Sequence, residues 1–353
     1  MEPFVYQALP QRIVFGSGTI AAVGEELTRL GCSRAFVLAT PQQKNSLDAL
    51  RRSLGQLCSG GFSKAAMHTP VEVTEEAVAA ALRAEADCLV SLGGGSTTGL
   101  GKAIALRTDL PQIVIPTTYA GSEATPILGE TADGRKTTQR SLKVLPEVVI
   151  YDVELTMTLP VRLSVTSGLN AIAHAVEALY TRESNPIISI LAVESVRALV
   201  SALPRLKSDA RNREARSDAL YGAWTAGTCL GAVGMALHHK ICHVLGGSFD
   251  LPHSETHAVI LPHAIAYNEA SATAQLRPLQ AVLGTQIGAG LHDLAMQLEA
   301  PTRLADIGMP REGLDRAADE IAATPYWNPR PVERDAIRRL LEDAFEGRRP
   351  RSD

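Results

Sequence analysis

CLVSLGGGSTTGLGKAIAL (88–106) decides how this chain folds. CLVSL (88–92) reads as a buried strand, and the residues after Gly95 open a helix. Gly93, Gly94 and Gly95 lie between the two. Their backbone N–H groups can approach a pyrophosphate without interference from a Cβ. Ser96 and Thr97 add hydroxyl donors, and the helix N-terminus adds favourable partial positive charge. The spacing is neither GxGxxG nor a P-loop, so the reading rests on the strand–turn–helix context.

The same alternation recurs on both sides. RIVFG (12–16), AFVLA (35–39), a short run at 65–68, QIVIP (112–116) and VLPEVVIYDVEL (144–155) read as strands. GTIAAVGEELTRL (18–30), SLDALRRSLGQL (46–57) and TEEAVAAALRAE (74–85) carry apolar residues at helical spacing. Thr74 is the expected N-cap of the last of these, with acidic residues in its first turn. Alternating strands and helices imply a parallel sheet wrapped on both faces. From about Ser164 onward strand-like runs are scarce and helical patterns dominate: 168–183, 189–203, one long pattern over 214–246, and several more. The expected fold class is an α/β, Rossmann-like parallel-sheet domain over 1–158 and an all-α domain over 159–353.

PTTYAGSEAT (116–125) follows the strand after the glycine turn. Thr117, Thr118 and Ser122 are therefore small hydroxyl residues at a strand's carboxyl end, where open α/β sheets bind ligands. After AFVLA come Thr40, Pro41, Gln42, Gln43 and Lys44, with no carboxylate to hold a ribose 2′-hydroxyl or repel a 2′-phosphate. Use of both NADH and NADPH is expected.

Composition narrows the classes. A hydrophobic fraction of 45% with 20% charged residues is that of a globular protein. Net charge is −4, with no basic block before the last few residues, Arg348, Arg349 and Arg351, and aromatics make up 4%. A nucleic-acid partner is not expected. Five scattered cysteines without a CxxC pair argue against a disulfide framework or thiol metal site. With no run of roughly 18 apolar residues and no leader pattern, the expectation is a cytoplasmic protein without a membrane partner.

Six of the nine histidines fall between 238 and 263. His239 and His243 are four apart on one helix face; so are Asn170 and His174 in an earlier helical segment. His253 follows a Leu-Pro pair, with His257 four beyond it. Helices carrying these residues can converge on one cleft, with His238, His257 and His263 as supporting residues.

Gly93–Ser96, Pro116–Thr118, Asn170-x3-His174 and His239-x3-His243-x9-His253 together resemble the pattern of the iron-containing alcohol dehydrogenase superfamily, which includes glycerol dehydrogenases and, more distantly, dehydroquinate synthase. The resemblance spans the chain and implies a dehydroquinate synthase-like fold. It implies metal-ligand positions at Asn170, His174, His239 and His253, a histidine facing nicotinamide and substrate at His243, and a cofactor-side lysine at Lys136. Asn170 departs from the pattern, because metal-dependent members carry aspartate there. Within the superfamily, 167–180, 4–18 and 328–350 resemble the maleylacetate reductase branch. That resemblance implies reduction of maleylacetate, a small dicarboxylate, to 3-oxoadipate in aromatic-compound catabolism. It also implies NADH or NADPH as cofactor, no metal requirement and a homodimer.

Chemistry alone agrees in part. Asparagine removes one anionic ligand, and an amide oxygen is weaker toward Fe²⁺ or Zn²⁺. Three neutral histidines can still hold zinc adventitiously. Imidazoles at His174, His239, His243 and His253 can take over enolate stabilisation and proton delivery. Which of them is the acid stays open. Tyr326 and Arg330, in TPYWNPRP, are candidates for carboxylate contact. The competing readings are a metal-dependent alcohol or polyol dehydrogenase, a dehydroquinate synthase-like lyase, and a non-catalytic nucleotide-binding protein.

Overall fold

The computed structural model describes residues 3–132, 135–323 and 326–351. The chain divides into two compact units. One spans Ala8–Leu159; the other runs from Pro160 and includes residues 3–7. The boundary lies one residue from the expected one. The first residues leave the sheet unit because its first strand begins only at Arg12.

The first unit is built on a six-stranded parallel sheet. Its strands are β1 (Arg12–Gly16), β2 (Ala35–Leu38), β3 (Cys58–Phe62), β4 (Cys88–Gly93), β5 (Gln112–Pro116) and β8 (Val148–Asp152), in the order β1-β8-β5-β4-β2-β3. The remaining pair, β6 (Ile127–Ala132) and β7 (Arg135–Arg140), forms an antiparallel hairpin. Successive residues of a strand face opposite sides. Val37, Val90, Leu92 and Ile113 therefore pack with α1 (Val23–Arg29) and α2 (Lys44–Leu54). Phe36, Leu38 and Leu89 pack with α3 (Val71–Arg83) and α4 (Gly95–Thr108). From β2 the chain steps outward to β3, then returns past β2 to β4 and β5. That reversal makes a switch point between β2 and β4, and their carboxyl ends carry Thr40 and the glycine turn.

Several local expectations are corrected. Residues 65–68 form no strand; β3 is CSGGF instead. Its paired glycines resemble a turn in sequence, but a Cβ on Gly60 would come within 3.0 Å of the Phe36 ring, so neighbouring side chains fill that space. Thr74 is not an N-cap. Pro70, with φ fixed near the helical value, starts α3, and the Thr74 hydroxyl donates to the Pro70 carbonyl at 3.2 Å. Residues 18–30 split into a 3-10 turn (Thr19–Ala22) and α1, and only Val148–Asp152 of 144–155 is strand.

Among its described residues the second unit has helices and connecting loops and no strand. It contains α5 (Val161–Ala178), α6 (Pro186–Ser208), α7 (Arg213–Ala232), α8 (Leu237–Phe249) and α9 (His253–Glu269), followed by shorter helices to Glu346. α6 is long and apolar enough by composition to cross a bilayer, but it packs along α5 and α7. The 214–246 pattern is two helices bent by 95°, not one. A second core joins α8 and α9 to the C-terminal helices Gly313–Ala323 and Arg334–Glu346.

Candidate active site

In the sheet unit, the expected cofactor residues gather on three loops at the carboxyl ends of β2, β4 and β5. The Thr117 amide donates to the Gly93 carbonyl at 3.1 Å. Gln43 Nε2 donates to Thr117 Oγ1 at 2.9 Å, and Thr40 Oγ1 lies 3.4 Å from Gln43 Oε1. A Cβ on Gly93 would come 2.6 Å from Gln43 Oε1, and one on Gly94 would come 2.8 Å from Thr118 Cγ2. The glycines thus let the loops close on one another. Thr97 Oγ1 and Ser122 Oγ are buried with no hydrogen-bond partner. With the Gly95 and Ser96 amides, which open α4 ahead of the first intrahelical bonds from Thr97 and Thr98 to the Gly94 carbonyl, they supply donors suited to a pyrophosphate. Lys136 lies on β7, and its side chain is outside the described residues.

Sequence reading missed Lys102. This fully buried ammonium on α4 donates to the carbonyls of Ser122 (2.6 Å), Thr125 (2.6 Å) and Ile127 (2.9 Å) and to Thr125 Oγ1 (3.0 Å). It fastens the segment after β5 to the helix that opens on the glycine turn. Burial pushes its pKa down to about 7, while Glu123 opposes that shift. Burial in turn raises the Glu123 carboxyl, which accepts from the Tyr151 hydroxyl at 3.1 Å.

In the helical unit, α5, α8 and the start of α9 bring six imidazoles together. Ring centroids of His174 and His239 lie 5.1 Å apart, His239 and His243 6.2 Å, His239 and His257 5.1 Å, and His253 and His257 4.4 Å. His238 Nε2 and His257 Nδ1 share a hydrogen bond of 2.9 Å in the buried floor. Burial, reinforced by neighbouring imidazoles, holds His174, His238 and His257 well below the usual histidine value and keeps them neutral. His174 therefore fits hydrogen bonding rather than imidazolium proton delivery. His243 and His253 are exposed. His263 stands apart, beside His292.

Glu177 organises this cluster. It is fully buried on α5, one turn beyond His174. Its carboxylate accepts from the His238 amide (2.8 Å), the Ala236 amide (3.3 Å) and His239 Nδ1 (2.5 Å). One side chain thereby caps the start of α8 at the 95° bend and fixes the His239 tautomer with its proton on Nδ1. His239 Nε2 is left as a lone pair, buried and unpartnered, as are Asn170 Oδ1 and His174 Nδ1. Asn170, His174 and Glu177 share one helix face by their spacing, which was the available signal for Glu177.

The two late candidates separate. The Tyr326 hydroxyl is buried without a partner. The Arg330 guanidinium stacks 4.2 Å from the Tyr267 ring centroid and donates to the Tyr267 carbonyl at 3.1 Å, which makes it part of the C-terminal packing.

Residues 10–153 match the family model described as iron-containing alcohol dehydrogenase, and residues 164–345 match its C-terminal counterpart. The chain belongs to the iron-containing alcohol dehydrogenase family. As a member it is an oxidoreductase that uses a nicotinamide cofactor. It is 63% identical to the maleylacetate reductase of Rhizobium sp. (strain MTP-10005) over 99% of this chain and 100% of that one. It is 53% identical to the maleylacetate reductase of Sphingobium indicum over 98% and 99% of the two chains. A crystal structure of maleylacetate reductase from Agrobacterium tumefaciens superposes with a TM-score of 0.97 at 63% identity, covering 99% and 100% of the chains.

The family name implies a metal, and the donor set tests that implication. Asn170 Oδ1, His174 Nδ1 and His239 Nε2 are buried and unpartnered, and the His174 and His239 rings stack with centroids 5.1 Å apart. Together with His253 they offer three imidazoles and an amide with no carboxylate, which suits zinc better than iron and binds either less firmly than a set with a carboxylate.

Proposed function

We propose that this chain reduces the C=C bond of maleylacetate to give 3-oxoadipate, with NADH or NADPH as reductant and no required metal. The observation that carries the reading is the 63% identity, end to end, with a maleylacetate reductase. The imidazole cluster with a neutral Asn170 in the carboxylate position supports it. The bound nicotinamide supplies the hydride, which adds to the alkene carbon β to the ketone. Charge then develops on the ketone oxygen as an enolate. Neutral imidazole N–H groups can donate to that oxygen, and the exposed His243 or His253 can protonate the remaining carbon. An uncharged Asn170 also spares a dianionic substrate a like charge. The protein is proposed to work in the cytoplasm as a homodimer, in aromatic-compound catabolism.

The test is NADH consumption with maleylacetate by chelator-treated protein whose metal content has been measured. Retained turnover without metal is expected. Activity that vanishes with the metal and returns on re-addition overturns the metal-free part. A second reading, metal-assisted catalysis, is favoured by the three unpartnered lone pairs, and the same experiment decides between them.

A further inference from the structure

The sequence names Tyr326 and Arg330 as candidates for carboxylate contact, and of these the Arg330 guanidinium is engaged by Tyr267. The cation left beside the histidines is Lys240. It is the one Lys or Arg on α8, directly after His239 and three residues before His243. Residues three apart on a helix are neighbours, so Lys240 borders the exposed His243. It is half-buried; its backbone N–H donates to the Ala236 carbonyl at 3.1 Å, while its ammonium makes no hydrogen bond or ion pair among the described residues. Glu320 feels it only at longer range and is itself held by Ser248 (2.5 Å) and Arg316 (2.7 Å).

The Lys240 ammonium lies 5.8 Å from the centroid of the Tyr326 ring. The hydroxyl of that ring is buried and bonds to nothing described. Burial and the nearby Glu177 carboxylate raise its pKa, so it remains a protonated donor. That same carboxylate holds His239, so the phenol lies close to the imidazoles. A cation without an anion and a donor without an acceptor therefore lie side by side next to the cluster. A carboxylate satisfies both, through a charge-assisted bond to the ammonium and an O–H···O⁻ bond to the phenol.

We propose that Lys240 and the Tyr326 hydroxyl form a subsite for one carboxylate of a dicarboxylate substrate, and that Lys240 makes the site prefer dianionic over monoanionic oxo acids. This rests on the reductase reading for the identity of the substrate.

The test uses the full-length protein with Lys240→Met, which keeps the length of the chain and removes the charge. Loss of a hydrogen bond between charged groups predicts a rise of about 10- to 100-fold in KM for maleylacetate, with kcat within about threefold and NADH affinity unchanged. Calorimetry supplies a readout independent of turnover. Lys240→Met weakens binding of 3-oxoadipate, a dicarboxylate, by the same factor and leaves binding of levulinate, its monocarboxylate analogue, unchanged. Tyr326→Phe weakens 3-oxoadipate by a smaller factor, and Lys240→Arg restores most of the loss. The proposal is overturned if Lys240→Met binds 3-oxoadipate as the parent does, or loses both ligands equally. Absence of maleylacetate turnover in the parent refutes the reductase reading instead, and the calorimetric comparison still decides the subsite.

Discussion

Glu177→Gln is the most informative single change. The carboxylate accepts three hydrogen bonds in a site closed to water: His238 N–H at 2.8 Å on one oxygen, Ala236 N–H at 3.3 Å and His239 Nδ1–H at 2.5 Å on the other. An amide has one oxygen, so its NH₂ must face a donor on one side. If it faces His238, a backbone N–H at the first turn of α8 loses its acceptor. If it faces His239, the imidazole escapes only by moving its proton to Nε2, which buries a donor where a lone pair stood. An unsatisfied buried donor costs about 1–3 kcal/mol and a lost charge-assisted bond a similar amount, so the variant should be about 3–5 kcal/mol less stable. Where Glu177 orients the reacting imidazoles, kcat should fall about 10- to 100-fold, as for other partners that fix a functional histidine. Steady-state NADH oxidation gives kcat and KM, denaturant titration gives stability, and ¹⁵N resonances of His239 report which ring nitrogen carries the proton. A variant with parental kcat and an unaltered His239 tautomer would refute the reasoning, whatever its stability.

Three further outcomes follow from the geometry. Gly94→Ala places a methyl 2.8 Å from Thr118 Cγ2, so the two loops must part; NADH binding, followed by fluorescence, should weaken about tenfold or more for overpacking worth about 1–3 kcal/mol. His263 is pushed down to about 3 by burial and by His292. A depressed folded-state value makes its contribution complete above about pH 6.5 and lost as pH falls toward 3, with a ceiling near 5 kcal/mol; in denaturation at stepped pH, His263→Leu should show a shallower acid loss than the parent, and parallel curves would count against this. With no carboxylate in 40–44, kcat/KM for NADH and NADPH should agree within about tenfold, and a hundredfold preference for NADH would contradict the reading of that segment.

The parallel sheet was legible because each strand–helix pair repeats a local pattern, and its best-patterned strands, β2, β4 and β5, fall within a residue of expectation. What escaped was set by tertiary partners. β3 is held in the sheet by its neighbours despite two glycines, and the β6–β7 hairpin has no strong alternation to announce it. The 95° bend after Ala232 is invisible to helical periodicity, because what stabilises it is a carboxylate from α5, far away in sequence. At the site, the histidines announced themselves by number and spacing. Glu177, Lys102 and Lys240 did not, since an acid or a lysine on a helix is ordinarily a solvated residue, and only burial or a missing partner marks these three. Arg330 lies on the expected segment, with its guanidinium stacked on the Tyr267 ring.

The ammonium of Lys102 bears on the thermodynamics of nucleotide capture. Its four contacts, to the Ser122, Thr125 and Ile127 carbonyls and Thr125 Oγ1, tie residues 122–127 to α4 through the protein's own groups alone. The ordering entropy of that segment is therefore spent when the sheet unit folds, not when cofactor arrives. Association should carry only a small conformational entropy penalty, and amide protons of that segment should exchange slowly even in the free protein. A cell could then draw the reduced nucleotide down to low concentration without the empty enzyme having to rebuild its binding surface at each turnover.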